Sequence, residues 1–209
     1  MAPDTREKIL QTAARLFLEQ GFSATGVSTI CREAGVNSGS LYHFFESKDA
    51  LLVGVLNWYE EHLDPIVMGP IEHAQPDPVE RIFALLAWYR GNMVATECRL
   101  GCPIGNLALE VSDTHPQVRP HIDINFANWS ARIEAWLNEA GDRLPADLDR
   151  RGLSKFVLTV MEGGLMQARA SDELGPFDDS VAQLRAYIDA LLERARPTGT
   201  TQRTEETSA

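Results

Sequence analysis

Hydrophobic residues recur along most of the chain at intervals of three and four positions, the spacing of an α-helix that buries one face. In the first such stretch, Thr5 to Gln20, the apolar stripe is formed by Ile9, Ala13, Leu16 and Phe17. Asp4 and Glu7 stand in capping positions before it, and Gly21 supplies a stop after it. Strand-like alternation is absent from the sequence, so we predict an all-α fold.

Three further helices follow closely. The pattern predicts a short helix over 27–34 that is closed by Gly35, and a third that begins after Asn37-Ser38. A long fourth helix starts at Lys48 and is expected to end or break near Pro65, since Gly69 and Pro70 follow it. The short glycine turn between the second and third helices indicates a helix-turn-helix.

The rest of the chain predicts five more helices, which begin near residues 78, 104, 116, 153 and 178. We therefore divide it into a three-helix unit at 1–48, a helical domain at 49–196 and a disordered tail at 197–209.

The formal net charge of −11 argues at first against a nucleic-acid partner. However, five basic and five acidic residues balance up to Lys48, and the whole acidic surplus lies beyond it. An acidic body with a neutral end would orient DNA towards that end. Three cysteines and the lack of a leader or membrane-spanning stretch predict a cytoplasmic protein without disulfides.

A protein that reads DNA needs a helix presented to the major groove and a supporting helix joined to it by a tight turn. The segment 21–51 meets both requirements. It also contains Gly21-Phe22, Thr25, Val27, Ile30, Ala34-Gly35-Val36, Gly39-Ser40-Leu41-Tyr42, Phe45 and Ser47-Lys48-Asp49-Ala50-Leu51. Through these residues the chain resembles the tetracycline-repressor (TetR) family of transcriptional regulators.

The resemblance implies a DNA-binding surface on the second and third helices, with Tyr42 and Lys48 holding phosphates. The residues it assigns to DNA are Ser28, Ser38, Gly39, Ser40, Tyr42, His43 and Lys48. Gly26 and Ser38 depart from the family pattern, which usually has Thr or Ser at the first position and often a basic residue at the second. Because the third helix lacks Lys and Arg, we expect a shallow salt dependence of binding.

The resemblance also implies a ligand pocket between the C-terminal helices. Core packing explains each apolar residue there singly, whereas together they favour a hydrophobic or aromatic effector. The pocket candidates are Trp88, Tyr89, Met93, Cys102, Asn106, Phe126, Trp129, Met161 and Met166. The segment around Cys102 resembles that of electrophile or oxidant sensors in the family, and a thiol near a helix N-terminus favours the thiolate. A buried, inert thiol is the simpler interpretation of all three cysteines.

A glycine pair and an apolar seam predict that the last two helices pair across a two-fold axis, as in dimers of the family. The residues concerned are Gly163, Gly164, Val181, Leu184, Ile188 and Leu191. Packing within one chain is the alternative.

These features predict a DNA-binding regulator, most simply a repressor that binds a palindromic operator as a homodimer and is released by a small hydrophobic or electrophilic effector. No cofactor, metal site or membrane partner is expected. An effector-independent DNA-binding protein and a cysteine-dependent enzyme are the alternatives, and the second lacks any recognisable catalytic partner for Cys102.

Overall fold

The computed structural model describes residues 4–196, which form α-helices and short helical turns without any β-strand. The all-α prediction is confirmed, while the predicted tail at 197–209 lies outside the described residues. The helices are α1 (Thr5–Gln20), α2 (Val27–Ala34), α3 (Ser38–Phe44), α4 (Lys48–Leu63), α5 (Gly69–Ala74), α6 (Pro78–Ala95), α7 (Pro103–Val111), α8 (Arg119–Glu139), α9 (Arg150–Ser171) and α10 (Gly175–Ala195). None of the helices in this range has the length and hydropathy needed to cross a bilayer.

The first three helices close around a small core. Asp4 caps α1 by accepting the Glu7 N–H at 2.9 Å, as its position in the sequence predicted. Gly35 ends α2 with φ at 65°, a conformation that only glycine adopts without cost. The buried side chains of this core include Ile9, Leu16, Phe17, Ile30, Leu41 and Phe45.

The long fourth helix ends at Leu63, so the end or break predicted near Pro65 is confirmed. After α4 the backbone continues through a π-helical turn, Asp64–Met68, directly into α5. The Gly69 N–H donates to the carbonyl of Asp64, five residues earlier. This wider turn lets the helical path pass Pro65, which has no N–H to donate. Arg132 of α8 pairs with Asp64 and so holds this turn against the neighbouring helix.

The C-terminal helices continue the same hydrophobic core, and there α9 packs on both α8 and α10. Charged pairs join α10 to α6 at the edge of this core. Arg90 makes two hydrogen bonds to Asp178, at 2.7 and 2.8 Å, and Arg185 makes two to Glu80, at 2.5 and 2.8 Å. Bidentate geometry of this kind fixes direction as well as distance, so α10 is held in register along α6.

The apolar seam on α10 packs within the chain, which corrects the prediction that it meets a partner. Leu184, Ile188 and Leu191 are at most 6% exposed. A Cβ on Gly164 would lie 3.2 Å from the Cα of Phe177, so this glycine permits the close approach of α9 and α10. Of the predicted interface residues, Gly163 and Val181 keep partial exposure.

Replacing Gly164 with alanine tests this close approach. We expect Gly164→Ala to lower the free energy of unfolding by about 1–3 kcal/mol, because Phe177 has to move away from the added methyl group. Gly91→Ala is the matched control, since nothing lies within 4 Å of that position in α6. It should raise stability by about 1 kcal/mol through helix propensity. Urea denaturation measures both, and equal shifts would contradict the packing described.

Candidate nucleic-acid interface and effector cavity

The helix α3 is anchored at its base and open on its other side. Asn37 caps it by accepting the Ser40 N–H at 2.8 Å, and the Leu41 side chain is fully buried beneath it. Tyr42 is 51% exposed, and His43 beside it is also exposed. The helix therefore presents polar groups to solvent on a rigid support, as groove readout requires.

The predicted DNA contacts lie mostly on the open surface. Ser28, Ser38 and Gly39 are exposed, and Ser40 is half-buried because its backbone is held by the cap. These positions agree with a role in contacting DNA, and that role stays a prediction for each of them.

Arg6 was missed by the sequence analysis. It lies on α1, lines a shallow groove together with Tyr42 and His43, and its guanidinium is 5.5 Å from the centre of the Phe45 ring. It is exposed and forms no ion pair with any residue in the described range. Arg6 therefore places a cation at the edge of α3, a helix that itself lacks Lys and Arg. The only signal in the sequence was a basic residue in the first turn of α1.

The Lys48 side chain makes two contacts within the protein, both with Phe22. Its Nζ donates to the carbonyl of Phe22 at 2.6 Å and lies 4.2 Å from the centre of the Phe22 ring. Burial lowers the pKa of Lys48, although Glu110 and Asp49 oppose the shift. The ammonium has three donors, so the hydrogen bond to Phe22 leaves others for a phosphate. A phosphate contact for Lys48 stays a prediction. The structure adds a hydrogen bond from Lys48 to the loop after α1, which holds that loop in position.

The same loop is held from the other side by Glu110 of α7. Its two carboxylate oxygens accept the N–H groups of Phe22 at 2.8 Å and of Ser23 at 2.7 Å. Burial alone would raise the pKa of Glu110, but these hydrogen bonds outweigh it and lower the pKa. An ionised carboxylate on α7 therefore connects the C-terminal helices to the helix-turn-helix.

A cavity of about 920 Å³ lies between α7, α8 and α9. Its size is that of a site for a small organic molecule. Apolar groups from all three helices line it, and charged side chains of α8 and α9 stand around it. The apolar lining includes Ala108, Leu109, Phe126, Leu158, Leu165 and Met166. Among residues 4–196 no three His, Cys, Asp or Glu side chains are grouped so as to hold a metal ion.

Two parts of the chain match known families. Residues 9–55 match the family described as bacterial regulatory proteins, tetR family, and residues 78–183 match the C-terminal domain described as transcriptional regulator LmrA/YxaF-like. The second match alone spans half of the chain. The chain belongs to the TetR family.

Relatives of this TetR-family protein extend over most of its length. The HTH-type transcriptional regulator LmrA of Bacillus subtilis (strain 168) is 33% identical over 192 residues, which are 91% of this chain and 98% of LmrA. The HTH-type transcriptional repressor DhaR of Mycobacterium sp. (strain GP1) is 28% identical, with coverage of 90% and 92%. The crystal structure of regulatory protein TetR from Rhodobacter sphaeroides superposes with a TM-score of 0.80 at 21% identity, with coverage of 88% and 98%.

The cavity of this TetR-family protein contains only some of the residues that the sequence suggested. Cys102, Asn106, Phe126 and Met166 line it. Five others do not line it, because their side chains pack in the helical core or face the outer surface. Tyr89, Met93, Trp129 and Met161 are buried in the core, and Trp88 is on the outer surface with 37% exposure.

Cys102 caps α7, where its Sγ accepts the Gly105 N–H at 3.4 Å. The helix N-terminus was expected to favour the thiolate, but the structure contradicts this expectation. Burial raises the pKa of the Cys102 thiol well above its usual range, and the neighbouring carboxylate of Glu162 raises it further. A buried, protonated thiol that is 2% exposed agrees with the simpler interpretation of an inert cysteine.

Glu162 is one of the cavity residues that the sequence analysis missed. It lies in the middle of α9 beside Cys102 and Gly105. Burial raises the pKa of Glu162 to about 7, although the facing Cys102 thiol lowers it. The only signal in the sequence was an acidic residue within a strongly apolar stretch of α9.

The raised pKa of Glu162 predicts a pH-dependent stability. The ordinary pKa of 4.5 applies in the unfolded chain, so the folded state holds the proton more tightly between pH 4.5 and about 7. The free energy of unfolding should therefore fall as the pH rises through this window, by up to about 1.4 kcal/mol per pH unit from this group. Glu162→Gln should unfold at a higher urea concentration than the wild type at pH 8.

The same comparison at pH 5 is the internal control, because the two proteins should there differ little. Identical midpoints of the variant and the wild type at pH 8 would show that the carboxylate is not destabilising.

Proposed function

We propose that this TetR-family protein is a ligand-responsive repressor that binds a palindromic DNA operator as a homodimer. The observation that carries the proposal is the arrangement around α7. Its C-terminal end contacts the helix-turn-helix through Glu110, and its N-terminal turn borders the cavity. Repression is favoured because a relative, DhaR, is named a repressor.

DNA binding would use the exposed side of α3. Tyr42 donates its hydroxyl to a phosphate, while the serines and His43 face base edges in the major groove. Arg6, Lys48 and the N-terminus of α4 supply positive potential at the rim. Few cations take part, so the affinity should fall less steeply with salt than that of a protein with a basic recognition helix.

Dimerisation would use the outer face of α9 and α10. Phe156 and Tyr187 are 46% and 47% exposed there, with ring centres 6.1 Å apart. They border a groove that also contains Gly163 and Gln167. Exposed aromatic pairs of this kind are typical of protein interfaces. Binding of both α3 helices of such a dimer to the two half-sites of a palindrome requires that they lie roughly one turn of DNA apart, ~34 Å.

Release from DNA would follow from a shift between two arrangements of α7. A ligand that fits the cavity better in one arrangement favours that arrangement, and Glu110 transmits the change to the loop after α1. The raised pKa and burial of Cys102 favour reversible ligand binding over attack by the thiol on an electrophile.

An effector-independent DNA-binding protein is the second candidate. It would have the same helix-turn-helix, but the cavity with its polar groups argues that the protein responds to a bound ligand. Selecting bound fragments from the parent genome and footprinting them distinguishes the two. A regulator protects a short palindrome, whereas an architectural protein retains fragments of unrelated sequence.

Removing one hydroxyl tests the DNA-binding surface. Tyr42→Phe should weaken binding to the selected fragment by about tenfold, because one hydrogen bond to a charged phosphate is lost while the ring remains. Tyr59→Phe is the matched control, since its hydroxyl faces the carbonyl of Ala14 within the protein, and its affinity should equal that of the wild type. Gel-shift titration measures both. Equal affinities of all three proteins would exclude Tyr42 from the interface.

Placing a charge on the outer face of α9 tests dimerisation. Phe156→Glu should give a monomer in sedimentation and lower the operator affinity by at least about a hundredfold, because the charge would be buried at the two-fold axis. Val94→Glu changes an equally exposed apolar residue of α6, outside the groove, and should remain a dimer. If the Phe156→Glu protein remained a dimer, the interface would have to lie on another surface.

A further inference from the structure

The inner part of the cavity is built around a carboxyl group that sits against glycine. Glu162 of α9 reaches the first turn of α7, where its Cδ lies 3.1 Å from the point that a Cβ of residue 105 would occupy. Any larger residue than Gly105 would push the carboxyl group away. Asn106 follows Gly105 in α7 and lines the same cavity, so a carboxyl and a carboxamide group both border it.

Each of these two groups has a buried polar atom without a partner. Glu162 Oε1 and Asn106 Nδ2 are shielded from solvent and make no hydrogen bond within the described residues. The first is an acceptor when the carboxyl is ionised, and the second is a donor of two N–H groups. Buried polar atoms are rarely left unpaired in proteins, and those that remain so call for a ligand, water or ion.

The charges around Glu162 narrow the class of ligand. The carboxylate forms no ion pair within the described range, while the cavity is bordered by three cations of α9 and two carboxylates of α8. These are Arg151, Lys155, Arg169, Asp123 and Glu134. With Glu162 ionised, positive and negative charges are equal in number. The cavity as a whole therefore favours a neutral ligand.

The two unpaired atoms then specify the polar part of that ligand. An anion offers no donor to Glu162 and would be repelled by it. An ammonium group offers no acceptor to Asn106. A neutral group with a donor next to an acceptor satisfies both at once, and a carboxamide or lactam edge has this arrangement. The apolar lining around Phe126 and Met166 suits a hydrophobic body attached to it.

We propose that the cavity binds an uncharged amphipathic molecule whose amide edge donates to Glu162 Oε1 and accepts from Asn106 Nδ2. The proposal rests on the function proposed above, since it names the class of effector for that site. Glu162 and Asn106 are then the residues that determine specificity. The apolar walls accept hydrophobic parts of the ligand that differ in shape.

Three probes of the same shape test this inference at pH 8. Naphthalene-2-carboxamide offers donor and acceptor, 2-acetylnaphthalene offers the acceptor alone, and 2-naphthoate carries a negative charge. Calorimetric titration of the full chain should give an affinity for the carboxamide at least about tenfold above that for the ketone, because the ketone leaves Glu162 unpaired. The naphthoate should bind most weakly.

Two variants separate the two contacts. Glu162→Leu should remove the preference for the carboxamide over the ketone, since no acceptor remains to be satisfied. Asn106→Leu should weaken both probes by a similar factor and keep their ratio, because both present a carbonyl oxygen to it. Lys8→Gln, on the exposed side of α1 and outside the cavity lining, is the control and should change neither affinity.

The wild-type ratio decides the proposal even if a variant fails to fold. Equal affinities for the carboxamide and the ketone, tightest binding of the naphthoate, or no binding of the carboxamide at millimolar concentration would each overturn it. Operator binding by the same preparation is measured separately by gel shift. A protein that binds its operator but shows no preference among the probes loses only this inference, whereas one that binds no genomic fragment loses the proposed function.

Discussion

Two backbone N–H groups and one carboxylate connect the helix-turn-helix to the rest of the molecule. The loop after α1 turns at Gly21, whose φ of 85° favours glycine, and its N–H groups point at Glu110. A Cβ on Gly21 would lie 3.1 Å from Glu110 Oε2, so glycine also provides the space for this contact. Lys48 holds the carbonyl of Phe22 in the same loop. The orientation of α2 and α3 therefore depends on charged groups from two other helices.

The helix that carries Glu110 also borders the cavity. It has nine residues and is therefore about 13 Å long. Glu110 lies in its last turn, and Cys102, Gly105 and Asn106 lie at its start. A short helix moves as a rigid body, so a displacement at one end reaches the other. The arrangement places the ligand-sensing and DNA-orienting groups on a single element, and coupling between them requires only that this element has two stable positions.

The differences between expectation and structure have local physical causes. Pro65 was expected to end or break α4, since a proline lacks the N–H that an α-helix needs, and α4 does end at Leu63; the helical path beyond it was not expected. A π-helical turn shifts the hydrogen bonds by one residue and lets the helical path continue to Ala74. The seam of α10 has the spacing of a surface that pairs with another helix, and α9 of the same chain is that helix. Spacing identifies a face that must be covered, but it does not say which neighbour covers it.

The sequence by itself determined the all-α fold, most helix boundaries, the glycine turn before α3 and the family, because these depend on periodicity, caps and residues close together in the chain. Only the tertiary structure decided which apolar side chains face the cavity and which fill the core. It also showed that Glu110 lies against Phe22 and that Glu162 lies against Gly105. The physical reason is that these pairs join residues from distant helices. Their contacts follow from packing angles that no short stretch of sequence encodes.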